Sequence, residues 1–185
     1  MIGNDIVDLQ LAKHQSNWQR KGWLQKVFTA SEIQEIVSSE VPEITVWKFW
    51  SMKEAVYKAH QRRFNLSPKF NPKSFECSTA KEKNETVQIK SYVYSTNTQI
   101  TKQYVYTTTA FASPQKTVSK IFENHVDLQV YVKQEIGNRL NIDPQRIAFD
   151  KNAHRIPLVY IDQKEVTISV SITHHGTFFG ALFSF

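Results

Sequence analysis

The chain has 185 residues, 41% of them hydrophobic and 12% aromatic, enough for an enclosed core and, by length, a single domain over 1–185. A formal charge of +6 and a pI near 9.3 favour anionic partners: nucleic acid, a polyphosphorylated small molecule or an acidic protein. No apolar run is long enough for a membrane span, Asp5 arrives before a leader could form, and a lone Cys77 excludes a disulfide framework or a thiolate zinc cluster, so a cytoplasmic, unprocessed chain with no membrane partner is expected.

The opening Ile2-Gly3-Asn4-Asp5-Ile6-Val7-Asp8-Leu9 reads as a short strand and its exit, with both acids near a strand end. Thr29 and Glu32 form a capping box that predicts a helix to about Ser39, and Pro42 closes the connection. From Glu43 to about Arg62 there is no Gly or Pro and apolar residues fall on more than one face, which predicts a central helix surrounded by protein. Trp47, Trp50, Glu54, Tyr57 and Lys58 project from one side of it. Residues 69 to 113 turn β-branched and polar, predicting a hairpin or meander with its turn at Thr96-Asn97-Thr98. A helix from about His125 to Leu140 rests on Val126, Val130, Lys133, Ile136 and Leu140, weakened by Gly137. The tail alternates through Val166, Ile168, Val170 and Ile172, breaks at Thr173-His174-His175-Gly176-Thr177 and resumes, predicting a hairpin with two histidines at its turn.

Glu54 and Lys58, four apart, would by themselves be a surface ion pair. A carboxylate between Trp50 and Tyr57 on such an apolar helix, however, pays desolvation unless a cation compensates. Acids beside a strand are usually turn or capping residues, the plain reading of Asp5 and Asp8. The functional reading joins Asp5 to Glu54 as a hard oxygen site for magnesium, which implies a phosphate-bearing ligand. Adjacent His174 and His175 in an extended segment point to opposite sides, so both cannot reach one ion. There is no Walker loop, Rossmann fingerprint, nucleophile elbow or HExxH helix, and only five glycines, so phosphate must be held by a metal and basic side chains. The competing class is a basic nucleic-acid-binding module, suggested by Tyr92, Tyr94, Lys102 and Tyr104.

Four segments together carry a more specific resemblance. GNDIVDL is similar to the GxDIVE strand of the 4'-phosphopantetheinyl transferase superfamily, and FTASE resembles its F-T/S-x-x-E element. WSMKEAVYKA resembles its W-x-x-KExxxKA helix, and VSITHHGTFFGALF its S-x-SH segment and following strand. They occur in the order of the holo-acyl-carrier-protein synthases, over about 1–66 and 143–185, leaving about 69–142 as an inserted β-rich segment.

The resemblance implies an α+β fold, an antiparallel sheet packed on a long central helix, and in short members a homotrimer with coenzyme sites between subunits. It implies transfer of 4'-phosphopantetheine from coenzyme A to a serine of an apo acyl carrier protein, or of a peptidyl or polyketide carrier domain, releasing 3',5'-ADP, as in fatty acid biosynthesis. No nucleic-acid partner belongs to that reading. By position, Asp5 and Glu54 take the metal, Mg2+; Glu54 and Lys58 are catalytic; Lys53, Lys58, Arg62 and His174 contact the coenzyme. Three departures stand out: His60 for a glycine, Thr173 for the second serine of S-x-SH, and Phe49 for an arginine, which leaves Lys48, Arg62 or Arg63 to meet the anion.

Overall fold

The computed structural model describes residues 1–79, 85–109, 117–123 and 127–185. Strand β1 (Asn4–Asp8) leads directly into helix α1 (Leu9–Gln15), because the Asp8 Oδ1 accepts from Leu11 N at 3.0 Å and caps it. Helix α2 (Trp23–Val27) precedes α3 (Ala30–Ser38), which opens with the expected capping box: Thr29 N donates to Glu32 Oε2 at 2.8 Å and Glu32 N to Thr29 Oγ1 at 3.4 Å. The central helix α4 runs Pro42–Phe64, with Pro42 as its first residue, where a missing N–H costs nothing.

Strands β2 (Glu76–Ser78), β3 (Thr86–Ile89), β4 (Tyr92–Ile100) and β5 (Tyr104–Thr109) form with β1 a five-stranded antiparallel sheet in the order β1-β5-β4-β3-β2. Thus the segment expected as an insertion supplies most of the sheet on which α4 lies. The expected turn at Thr96-Asn97-Thr98 is instead the middle of β4. Thr96 and Thr98 pair with Thr109 and Thr107, a β-branched ladder that suits a half-buried strand. The chain reverses at Lys90-Ser91, where Lys90 adopts a left-handed φ of 52°.

Helix and sheet approach closely through small residues. Ser51, Ala55 and Ala59, four apart on α4, are buried, and a Cβ on Gly3 would collide with Ala55 O and lie 2.8 Å from Ala59 N. Around this contact Val7, Phe28, Phe49, Met52, Val56, Val87 and Val105 form the larger core.

The C-terminal part builds a second core. Strand β6 (Thr117–Glu123) joins a three-stranded antiparallel sheet, β10 (Ser169–His175), β11 (Phe178–Ser184), β6, while β7 (Ile147–Lys151), β8 (Pro157–Ile161) and β9 (Lys164–Val166) form another. The hairpin β10–β11 is the one expected from the alternating tail. Helix α5 spans Leu128–Leu140, capped by Asp127; positions 125 and 126 lie outside the described residues. Its buried stripe is Leu128, Val132 and Ile136, of which only Ile136 belongs to the expected set, and Val130 stays 48% exposed. Gly137 is there for space, since a Cβ would meet Ile142 O at 2.8 Å.

Among the described residues one charged pair lies wholly inside. Lys53, 0% exposed, donates to Glu32 Oε2 at 2.8 Å, to Pro72 O at 3.0 Å and to Phe75 O, while Glu32 Oε1 accepts from Cys77 N at 2.7 Å. The pair ties α4 to α3 and the sheet edge. Lys53→Met leaves the Glu32 charge buried without its partner and should cost about 3 kcal/mol or more in urea denaturation; a loss below about 1 kcal/mol would show that the pair is not needed.

Candidate functional site

The close approach of α4 to β1 brings Asp5 against one turn of the helix. Asp5 is 8% exposed; its Oδ1 accepts from Thr173 Oγ1 at 3.3 Å and lies 3.5 Å from Lys58 Nζ, and its main-chain oxygen accepts from Ser51 Oγ at 3.2 Å. Lys58 Nζ makes a shorter bond to Asn4 O, 2.8 Å, so the lysine is steered mainly by main chain. The second carboxylate oxygen, Asp5 Oδ2, is buried with no hydrogen-bond partner. Burial raises the Asp5 pKa above the ordinary carboxylate value, against the pull of Lys58 and the neighbouring hydroxyls.

Glu54 sits one turn before Lys58 on α4 and lines the same cavity of about 740 Å³ as Asp5 and Lys58. Its pKa is pushed up to about 7, first by burial and then by the negative charge of Asp5, with Lys58 opposing. Two acids therefore repel each other in a half-closed space, with one lysine near. The cavity wall adds Thr173, His174 and His175 on the polar side and Trp23, Val27, Trp47, Trp50 and Pro72 as apolar surface. Among the described residues no group of three or more His, Cys, Asp or Glu side chains is placed to hold a metal. Two hard carboxylates, one with an unpartnered oxygen, fit magnesium, which accepts one or two carboxylates and takes its other oxygens from water and phosphate.

A second hollow of about 640 Å³ shares Lys58 and Ile172 with the first and adds Tyr57, Arg62, Lys151 and Arg155, with Asp150 the acid among them. Arg62 lines it while donating to Pro157 O at 3.0 Å and to Val170 O, and burial lowers its pKa to about 10.

The remaining candidates are placed otherwise. Lys53 points into the interior toward Glu32 and does not reach either hollow. Asp8 holds structure: burial works against its charge, but main-chain donors at Leu11, Thr177 and Gln10 outweigh burial and keep its carboxyl below the usual range. Of the substitutes for the missing arginine, Lys48 pairs with Glu85 at 2.6 Å and Arg63 stacks over Phe64, Tyr92 and Tyr94, leaving Arg62. Tyr92, Tyr94 and Tyr104, offered as stacking platforms, pack on Phe64, His60 and Phe178. Sequence reasoning missed Lys151 and Arg155, which no motif marks, while the opposite facing of the two histidines expected from the strand period is met, with His174 stacked on Phe179 and His175 Nδ1 accepting from Asp8 N.

The model of the 4'-phosphopantetheinyl transferase superfamily matches residues 1–112. The chain belongs to that superfamily. The match takes in β1, the capping-box helix, α4 and the strands through β5, hence Asp5, Glu54 and Lys58. No curated protein sequence matches the chain significantly. Among solved structures, this superfamily member is similar to the holo-acyl-carrier-protein synthase of Thermotoga maritima, with 9% identity, a TM-score of 0.44 and coverage of 89% of this chain and 83% of that one. It is also similar to the holo-acyl-carrier-protein synthase of Helicobacter pylori in complex with coenzyme A, with 14% identity, a TM-score of 0.29 and coverage of 100% and 98%. Among the described residues no helix is long and apolar enough to cross a membrane.

The repulsion at Glu54 has a measurable sign. Its folded value, about 7, lies above the ordinary 4.5, so the folded chain holds the extra proton across that interval and loses stability as pH rises through it. At about pH 8 in metal-free buffer Glu54→Gln should melt a few degrees above the wild type, with the gain gone below about pH 4.5. Equal melting at the higher pH would mean that Glu54 is not held in a repulsive site.

Proposed function

We propose that this superfamily member transfers the 4'-phosphopantetheine arm of coenzyme A to the serine of an apo acyl, peptidyl or polyketide carrier, releasing 3',5'-ADP. The observation that carries the reading is buried Asp5 with half-buried Glu54 beside Lys58, with one Asp5 carboxylate oxygen unpartnered. Asp5 and Glu54 would hold magnesium. When bound there, the ion would neutralise the two repelling acids, lower the Glu54 pKa from its cation-free value, and withdraw charge from the pyrophosphate of the donor.

Lys58, anchored by Asn4 O, has further N–H groups for a phosphate oxygen and neutralises charge that develops as the phosphorus–oxygen bond breaks. The serine oxygen forms a bond to the β-phosphorus, and the bond to 3',5'-ADP breaks with its electron pair on the departing phosphate. Glu54, the carboxylate of α4 that lines the cavity, is the group assigned to receive the serine proton. Arg62, Lys151 and Arg155 in the adjoining hollow match the charge of the nucleotide end, and the tryptophan wall limits water that would hydrolyse the donor.

Lys58 and the adjoining Arg62, Lys151 and Arg155 lie on one chain, which supports a coenzyme site within a single copy in place of the trimer expected from the short synthases. A sedimentation mass of three chains, with activity lost on dissociation, would reverse that. The excess of positive charge suits an acidic carrier as well as the donor.

Mixed with coenzyme A, magnesium and a panel of apo-carriers, the purified chain should raise the mass of at least one carrier by a single phosphopantetheine; no mass change with any carrier would count against transfer. Glu54→Gln should lower turnover on the order of 10²-fold with the fold intact, and wild-type turnover would remove Glu54 from the mechanism. Magnesium alone should raise the melting temperature of the wild type but not of Asp5→Asn or Glu54→Gln. Lys58→Ala should weaken coenzyme A binding about tenfold by calorimetry, and unchanged affinity would deny it a phosphate contact.

A further inference from the structure

Helix α4 packs in the first core and strands β8 and β10 in the second, and one side chain of the helix holds both strands. Arg62 Nη1 donates to Pro157 O at 3.0 Å, at the start of β8, and Nη2 donates to Val170 O, near the start of β10. Neighbours on the same end of α4 grip the segment before β8: Gln61 Nε2 donates to His154 O at 3.0 Å, and Asn152 Nδ2 donates to Asn65 Oδ1 at 2.8 Å. Of these, Arg62 alone reaches β10. Its guanidinium is half-buried, and its Nε is enclosed with no hydrogen-bond partner. A planar fork can hold two carbonyls at a set spacing, which a lysine ammonium of equal charge cannot do.

Strand β10 needs such a tie because it and β1 belong to different sheets and meet through side chains. Ser171 Oγ accepts from Asn4 N and Thr173 Oγ1 donates to Asp5 Oδ1, both at 3.3 Å, near the long end of a hydrogen bond. Thr173 has little room to drift. Its partner across the hairpin is Gly180, where a Cβ would lie 3.0 Å from Thr173 Cγ2 and 2.8 Å from Tyr106 Cε2. Ile172, between these two contacts, lies in the wall of both hollows. A small movement of β10 therefore changes the Asp5 surroundings and the width of both hollows together.

We propose that Arg62 is a positioning residue: it fixes the start of β10 to the end of α4 and so sets the separation at which Thr173 meets Asp5. It acts on the reaction through the strand, without touching the coenzyme, while its charge remains part of the field of the second hollow. The effect on turnover rests on the transferase reading.

Arg62→Lys keeps the charge and loses the fork; Arg62→Gln loses both. With melting curves confirming folded chains at about 20 °C, both variants should turn over about tenfold more slowly than the wild type, with the coenzyme A Kd of Arg62→Lys within about threefold of the wild-type value. Magnesium without coenzyme should raise the melting temperature of Arg62→Lys by less than it raises that of the wild type, although Arg62 is not in the wall of the Asp5 cavity. A tie that serves stability alone would lower both curves and leave the magnesium increment unchanged. Thr173→Val removes the bond to Asp5, and adding it to Arg62→Lys should deepen the turnover loss little beyond the larger single loss, because both changes act at one link. The proposal is overturned by wild-type turnover in Arg62→Lys, by a loss of coenzyme affinity with the magnesium increment intact, by additive losses with Thr173→Val, or by failure of both Arg62 variants to fold. A wild type that modifies no carrier removes the transferase reading; an active wild type with any of those variant results removes the positioning role alone.

Discussion

The site depends on how near α4 can come to β1. Gly3 lacks the Cβ that would strike Ala55 O, and Ser51, Ala55 and Ala59 present a narrow helix face to the strand. At that distance Lys58 reaches Asn4 O, Ser51 reaches Asp5 O, and Glu54 feels the charge of Asp5. A larger side chain at any of these small positions would push the helix outward and move the two acids apart, because packed interiors absorb added volume by shifting backbone.

Holding two acids together in a partly buried space is costly, and the surroundings offset it only in part. Lys58 lies 3.5 Å from Asp5 Oδ1, the long end of an ion pair, and gives its best bond to a main-chain oxygen. The raised pKa values of both acids follow from this shortfall. A site built only for stability would satisfy Asp5 Oδ2; here rigidity comes from elsewhere, above all from the enclosed Lys53–Glu32 pair on another side of α4. Adjacent residues 53 and 54 thus divide the work: one fixes the helix, the other faces the cavity.

What the sequence made legible was local. The Thr29–Glu32 box, the length of α4, the common side of Trp47, Trp50, Glu54 and Lys58, and the C-terminal hairpin all follow from caps and periodicity within a few residues. The pairing of Asp5 with Glu54 was legible as one of two readings of the acids and then through the family resemblance, since no local rule joins residues so far apart. Lys53 was misjudged because its partners, Glu32, Pro72 and Phe75, are distant in the chain. The turn at Lys90-Ser91 carries neither Gly nor Asn, so turn chemistry drew attention to Thr96-Asn97-Thr98 instead. In α5 the buried stripe Leu128, Val132 and Ile136 shares only Ile136 with the expected set, because packing against the second core and not periodicity alone chose the face.

The location of the cavity follows from two edge strands that do not zip together. β1 is the edge of the five-stranded sheet and β10 the edge of a three-stranded one, and the two strands belong to different sheets. Bare edges invite pairing, and a backbone ladder here would draw the strands to the usual spacing of about 4.8 Å and close the space between them. Instead outward groups of β1 are met by side chains: Asn4 N by Ser171, Asp8 N by His175 and Asn4 O by Lys58. Because side chains are longer than a ladder hydrogen bond, the edges stay apart while Asn4 N, Asp8 N and Asn4 O find partners, and the Asp5 carboxylate reaches Thr173 across the gap. The polar sequence Ser-x-Thr-x-His on β10 therefore does two things at once, partnering the edge donors Asn4 N and Asp8 N and keeping the two strands from forming a backbone ladder.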